Sequence, residues 1–300
     1  MNICLKCKQS ISEPVVYGLH QKCFTEWFNH ADTEFMDLDP QKSTSTNTSP
    51  KIQKQKDTFF HGRYLKYSAR LGQTEYILKV QEPKFPELPL VEYLCNQIAT
   101  ELKIEVPPHY LIDFNGRITF VTRNFMQDYS GTLNHIYRYI QEGEDYHNCE
   151  EIAKTILAQT GRLSDIAKFI ETCLFDVLIG NNDRHGRNIG IIETSSTKKI
   201  APMYDNPSCI GTEEEFFLKS DINPSGCIWT KDSKHPTAKD YIKEFQRLGY
   251  ESVVNQFSKK VISKSSKIID LTQNAILSPL RKTALITLIQ KRLREFENGR

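Results

Sequence analysis

Asp183, Asn188 and Asp205 are the residues of this chain whose types and order suggest a reaction. They stand in Leu178-Ile-Gly-Asn-Asn-Asp-Arg-His-Gly-Arg-Asn-Ile-Gly-Ile and in the later Pro202-Met-Tyr-Asp-Asn-Pro. In-line phosphoryl transfer needs a carboxylate to orient an incoming hydroxyl and take its proton. It also needs hard oxygen ligands that hold Mg²⁺ against a triphosphate. Asp183 suits the first task, and Asn188 with Asp205 the second. Either fragment alone reads as a polar loop capping a helix, with Asp205 opening a turn before Pro207. Both in order, behind a β-rich stretch, favour the site.

The elements that must position these residues follow from periodicity. A buried helix over Ile166–Ile179, with Ser164 as its N-cap, runs into the polar loop. A strand over Ile189–Ile192, a turn at Ser195–Lys199 and a second strand ending at Asp205 would bring the three side chains to one hairpin mouth. The step from Asp183 to Asn188 equals that of the protein-kinase catalytic loop. Upstream, Lys79 lies near the end of an apolar strand, Glu75–Val80, and Glu92 on the next helix offers it a partner. Kinases use such a pair to steer the α- and β-phosphates, whereas an ordinary strand lysine faces solvent.

The expected architecture is α+β: a small β-rich N-lobe followed by a larger helical C-lobe, as in two-lobed protein kinases. Residues 1–36 form a cysteine-bearing cap. Residues 37–57 are a flexible, hydroxyl-rich segment without aromatics, too polar to build a core. Residues 58–125 hold strands at Tyr64–Ala69 and Glu75–Val80, a helix over Leu90–Leu102, and a hairpin with Asn115-Gly116 at its turn. Residues 126–300 carry helices over Ile152–Leu157, Ile166–Ile179, Tyr241–Leu248, Val253–Val261 and Leu280–Phe296. Of 300 residues, 39% are hydrophobic, enough for a real core, and 39 basic against 37 acidic residues give +2. That balance points to no direct nucleic-acid partner and no membrane. With no secretory pattern at the N-terminus and no spanning apolar run, the expected location is cytoplasmic.

The chain resembles the HipA-like serine/threonine kinase toxins of bacterial toxin–antitoxin systems, of the compact HipT type. The resemblance is strongest in Asp183-Arg-His-Gly-Arg-Asn188, Tyr204-Asp205, Ile77-Leu-Lys79 and Leu90-Val-Glu-Tyr. It implies an ATP- and Mg²⁺-dependent protein kinase in which Asp183 is the catalytic base and Asn188 and Asp205 hold the metal. Lys79 would meet the nucleotide phosphates, with His185, Gly186, Arg187 and Tyr204 lining the nucleotide site. Thr122, Arg123 and Asn124 resemble the hinge beside adenine, offering backbone contacts. The family suggests an aminoacyl-tRNA synthetase as protein substrate, with growth arrest as the outcome.

Two departures from the family pattern stand out. The chain starts too soon to contain the small N-terminal subdomain, which HipT-type kinases obtain from a separate HipS-like protein beside a helix-turn-helix antitoxin. The family's Ser-x-Ser-Gly-Val-Gln-x-Lys phosphate loop is replaced by Thr48-Ser-Pro-Lys-Ile-Gln-Lys-Gln, with Lys51 where glycine should be. Lysine tolerates far fewer of the torsions that cradle a phosphate. In the family this loop is autophosphorylated and switches the kinase off, which makes Ser43, Ser45, Thr46, Thr48 and Ser49 candidate sites.

Cys4-x₂-Cys7, then His20-x₂-Cys23, is a four-ligand set able to hold structural Zn²⁺. Reduced cysteines in a small cap, with His20 hydrogen-bonded, fit the spacing equally. Phe216 and Phe217 read as core aromatics, and Lys291-Arg-Leu-Arg294 as a solvated helix face. Two other functional readings stay open: a phosphatidylinositol-kinase-like lipid kinase, which shares the Asp-Arg-His-x₂-Asn loop, and a non-catalytic pseudokinase used as a binding module.

Overall fold

The computed structural model describes residues 3–11, 15–41, 65–140 and 147–299. The chain divides into two compact units, residues 1–93 with 107–128, and residues 94–106 with 129–300.

The first unit is built on a five-stranded antiparallel sheet. Its strands are β3 (Met36–Gln41), β4 (Leu65–Leu71), β5 (Thr74–Val80), β6 (His109–Phe114) and β7 (Arg117–Arg123), in the order β3-β4-β5-β7-β6. The hairpin between β6 and β7 closes through Asn115 and Gly116, both at positive φ (53° and 76°). Two successive left-handed residues make the turn whose twist matches the strands, so the Asn-Gly pair sets the register Phe114↔Arg117. Ahead of the sheet come a two-residue hairpin, β1 (Val15–Val16) with β2 (Leu19–His20), and helix α1 (Gln21–Phe28). Phe24, Phe28, Phe35, Tyr76 and Tyr110 form a continuous aromatic cluster, with Phe28 and Tyr110 ring centres 4.4 Å apart. Helix α2 (Leu88–Glu101) begins in this unit.

The second unit is mainly helical. Helix α4 (Leu163–Ile179) is its core element, buried along almost its whole second half from Cys173 to Ile179. Packed on it are α3 (Cys149–Thr160), α6 (Ala238–Arg247), α7 (Glu251–Ser263) and α9 (Pro279–Asn298). Short α5 (Glu215–Leu218) and α8 (Ser265–Gln273) pack against α9. A small antiparallel sheet of β8 (Gly131–His135), β9 (Gly190–Thr194) and β10 (Lys198–Ile200), in the order β10-β9-β8, lies beside α3 and α4. No helix among the described residues is long and apolar enough to cross a membrane.

Several local expectations are corrected. Ser164 is not the N-cap of α4: the helix starts at Leu163 with Arg162 at the cap position. The strand expected to reach Asp205 stops at Ile200: Ala201 still gives its N–H to the Gly190 carbonyl, but Pro202 has none to continue the ladder. Residues 37–41, assigned to the polar segment, lie in β3 against β4. Phe216 and Phe217 are 79% and 51% exposed, so they are not core aromatics. Arg292 is fully buried, so the basic run on α9 is not wholly a solvated face.

Candidate active site

The second unit gathers its polar residues where α4 ends. Gly180 takes a left-handed conformation (φ 74°) that stops the helix, and a Cβ there would lie 2.6 Å from Leu288 Cδ2. Asn181 then turns back, its amide donating to Asp176 Oδ1 (2.8 Å) while its Oδ1 accepts from the Asp183 N–H (3.0 Å). Asp176 is a carboxylate inside an otherwise apolar helix, and Arg184 answers it. The guanidinium donates through Nε to Asp176 Oδ2 (2.8 Å) and through Nη2 to Oδ1 (2.9 Å). It also donates through Nη1 to the Asn188 and Tyr204 carbonyls (3.2 and 2.6 Å), and through Nη2 to Asn206 Oδ1 (2.7 Å).

One buried side chain thereby ties the 181–188 loop to the 204–206 segment. Burial pushes the Asp176 carboxyl up, opposed by Arg184 and Asn181. Burial also works against the Arg184 charge, but Asp176, with help from Asp205, holds the guanidinium above its ordinary range. Three N–H donors on two carboxylate oxygens suit an ionised acid, so we treat the pair as a buried salt bridge.

That tie holds the backbone segments bearing Asp183, Asn188 and Asp205 against one another. Asp183 is exposed, and among the described residues no hydrogen bond goes to its carboxylate, which leaves it open to a hydroxyl. Asn188 donates its amide to the Asp183 carbonyl (2.8 Å), so its Oδ1 is the atom left for a cation. Asp205 sits at φ 52°, a left-handed backbone that aspartate tolerates better than most residues. His185 lies in the field of both Asp183 and Asp205, yet burial outweighs them and lowers its pKa. The Tyr204 hydroxyl donates to the Arg187 carbonyl (3.2 Å) and stands 3.3 Å from His135 Nδ1. Burial, then the Asp205 charge, keeps it a neutral phenol. Asn206, fully buried, donates to Asn96 Oδ1 (3.0 Å) and so fixes the residue after Asp205. A carboxylate and an amide oxygen at 205 and 188 are the hard donor set that Mg²⁺ prefers, so these residues fit that ion.

In the first unit Lys79 and Glu92 are paired and both buried. Lys79 Nζ also stands 5.6 Å from the centre of the Phe120 ring. A pocket beside the pair is lined by Val80, Phe85, Leu88 and Pro89. Of the expected hinge residues, Thr122 lies between Ile77 and His109 in the sheet. The N–H groups of Arg123 and Asn124 go to the Pro108 and Glu75 carbonyls (both 2.9 Å), so those two donors are engaged within the unit. Gly186 is buried beside His147. Cys4, Cys7, His20 and Cys23 stand together at the start of the first unit. Ser43, Ser45, Thr46, Thr48 and Ser49 lie outside the described residues.

The sequence reading missed Asp176, Asn181, Arg184 and Asn206. Asp176 was detectable as a lone carboxylate among Leu174-Phe-Asp-Val-Leu-Ile179, where a charge needs a partner.

Residues 48–269 match the family described as HipA-like C-terminal domain. The chain belongs to that family. A Haemophilus influenzae protein whose name proposes a kinase is 30% identical over 239 residues, which is 68% of each chain. A Sinorhizobium fredii protein, Y4mE, also named as a proposed kinase, is 26% identical over 149 residues, 44% of this chain and 35% of that one. Among solved structures, the Helicobacter pylori proinflammatory kinase CtkA aligns with TM-score 0.66 at 16% identity, over 78% of this chain and 92% of its own. A chain of the Shewanella oneidensis toxin–antitoxin complex of HipA, HipB and operator DNA aligns with TM-score 0.58 at 13% identity, over 93% and 71%. HipA-like members of the family and kinase-like neighbours thus share the α+β fold of this chain.

Proposed function

We propose that this chain is an ATP-dependent protein kinase, acting on serine or threonine, and the toxin of a toxin–antitoxin pair. The observation that carries the reading is the Arg184 tie, which holds the segments bearing Asp183, Asn188 and Asp205 against one another. Family membership and the kinase names of its relatives support it.

In this reading Mg²⁺-ATP, when bound, supplies the transferable phosphoryl group, and Asn188 and Asp205 hold the metal. Asp183 orients the acceptor hydroxyl and accepts its proton. The exposed, unengaged carboxylate suits that role better than Asp176, whose oxygens are already filled. Lys79, paired with Glu92, meets the nucleotide phosphates.

The Shewanella structure pairs HipA with HipB and DNA. By analogy we assign this chain a helix-turn-helix antitoxin, with a small HipS-like protein as a third component. An aminoacyl-tRNA synthetase is the proposed target, and autophosphorylation within residues 43–49 the proposed off-switch. The test is transfer of labelled γ-phosphate into bacterial lysate protein, comparing wild type with Asp183→Asn and adding phosphoinositide vesicles as a second acceptor. Label in protein, lost in the variant, supports the proposal. Label in lipid alone, or no difference between the two proteins, overturns it.

A further inference from the structure

The first 28 residues carry a cluster that the phosphate chemistry does not use. The Sγ atoms of Cys4, Cys7 and Cys23 and a ring nitrogen of His20 all lie within 4.8 Å of one another. His20 Nδ1 is 3.4 Å from Cys7 Sγ and 3.8 Å from Cys23 Sγ. Zn–S and Zn–N bonds of ~2.3 and ~2.0 Å at tetrahedral angles place sulfur and nitrogen ligands roughly 3.5 Å apart, and two sulfurs roughly 3.8 Å apart. The two His20–sulfur distances match a ligand shell around one ion.

The supporting contacts are those of a metal knuckle. Two arms of chain meet: a tight turn closed by Cys4 N–H to the Gln9 carbonyl (2.8 Å) and Lys8 N–H to the Cys4 carbonyl (2.9 Å), and the β2–α1 corner. Leu5 N–H reaches the Gly18 carbonyl (3.1 Å) to join them. His20 Nε2 stands 3.0 Å from the Ser10 carbonyl, which accepts from it and leaves Nδ1 facing the thiols as a lone-pair donor. Core packing does not explain the cluster, because Cys7 is exposed and yet turns toward the other three.

We infer that Cys4, Cys7, His20 and Cys23 bind one Zn²⁺ and that this ion fixes α1 on the sheet of the first unit. Cys23 lies in the first turn of α1, and the same helix sets Trp27 against Tyr93 and Tyr110 (6.3 and 5.9 Å) and Phe28 against Tyr76. The metal is therefore structural and is tied, through Tyr93, to the turn of α2 that carries Glu92. This assignment does not depend on the kinase reading.

The experiment is elemental analysis of the full chain purified without chelators, then cobalt loading of the apoprotein. One zinc per chain, and cobalt spectra showing tetrahedral thiolate bands, are expected. Cys7→Ser should lose the metal, and Cys227→Ser should keep it. Since a Cys7 variant could misfold, the wild-type apoprotein is also melted with and without added zinc, which should raise the unfolding temperature. Negligible zinc, no thiolate–cobalt bands and no thermal shift would together overturn the assignment. So would full metal retention in Cys7→Ser.

Discussion

Replacing Arg184 with lysine keeps the positive charge beside Asp176 and removes the fork. Arg184 makes five hydrogen bonds to four residues: Asp176, Asn188, Tyr204 and Asn206. An ammonium has three donors on one atom, so at least two of these acceptors lose their partner in a site closed to water. Each stranded acceptor costs about 1–3 kcal/mol, so the variant should be destabilised by about 2–6 kcal/mol. The carbonyls released belong to Asn188 and Tyr204, one at a proposed metal ligand and the other adjacent to one. Displacements near 1 Å at such positions cost about 10²-fold in rate. Urea unfolding monitored by circular dichroism, together with phosphate transfer on the same preparation, measures both effects. A stability change within about 0.5 kcal/mol, the range of ordinary surface substitutions, would refute the claim that Arg184 assembles the site. So would a variant that loses stability while keeping full turnover.

Asp183→Asn should lower turnover by at least about 10²-fold through loss of the general base. Because the side chain is exposed, its urea midpoint should match wild type. Glu92→Ala leaves the buried Lys79 without its carboxylate. A cost of about 3–5 kcal/mol is expected, seen as an earlier thermal transition of the first unit, with ATP affinity reduced. His185 has a folded-state pKa below its ordinary value because it is buried. Its contribution is therefore present above the unfolded pKa, and stability falls as pH drops through the unfolded and then the folded value. His185→Gln should flatten that part of the stability–pH curve in urea titrations.

Periodicity made most of the helices legible: the stripes over 166–179 and 253–261 lie within α4 and α7, and that over 241–248 runs one residue past the end of α6. Asn115-Gly116 disclosed the β6–β7 hairpin, because the turn type demands those residues. Where a short-range signal competed with a long-range one, it misled. Asp165, beside the supposed cap Ser164, spends its carboxylate on the Ile200 N–H (3.2 Å), a contact 35 residues away in sequence. Arg292 looked like one charge in a surface run, since nothing local announces that it bonds the Val177 and Pro224 carbonyls. The proposed reactive residues were visible because their chemistry restricts residue type and spacing. Arg184, also within that motif, was passed over because its task is to satisfy carbonyls and a buried acid, and a sequence does not display the backbone atoms that need it.

Arg292 gives the chain a timetable. It sits fully buried on α9, holding the carbonyl of Val177 (3.0 Å) three residues before the helix-ending Gly180. Proteins fold from the N-terminus as they leave the ribosome. The loop carrying Asp183 would emerge more than a hundred residues before this clamp, and before Leu288, which packs on Gly180. A nascent chain halted short of α9 would lack the backing for that loop.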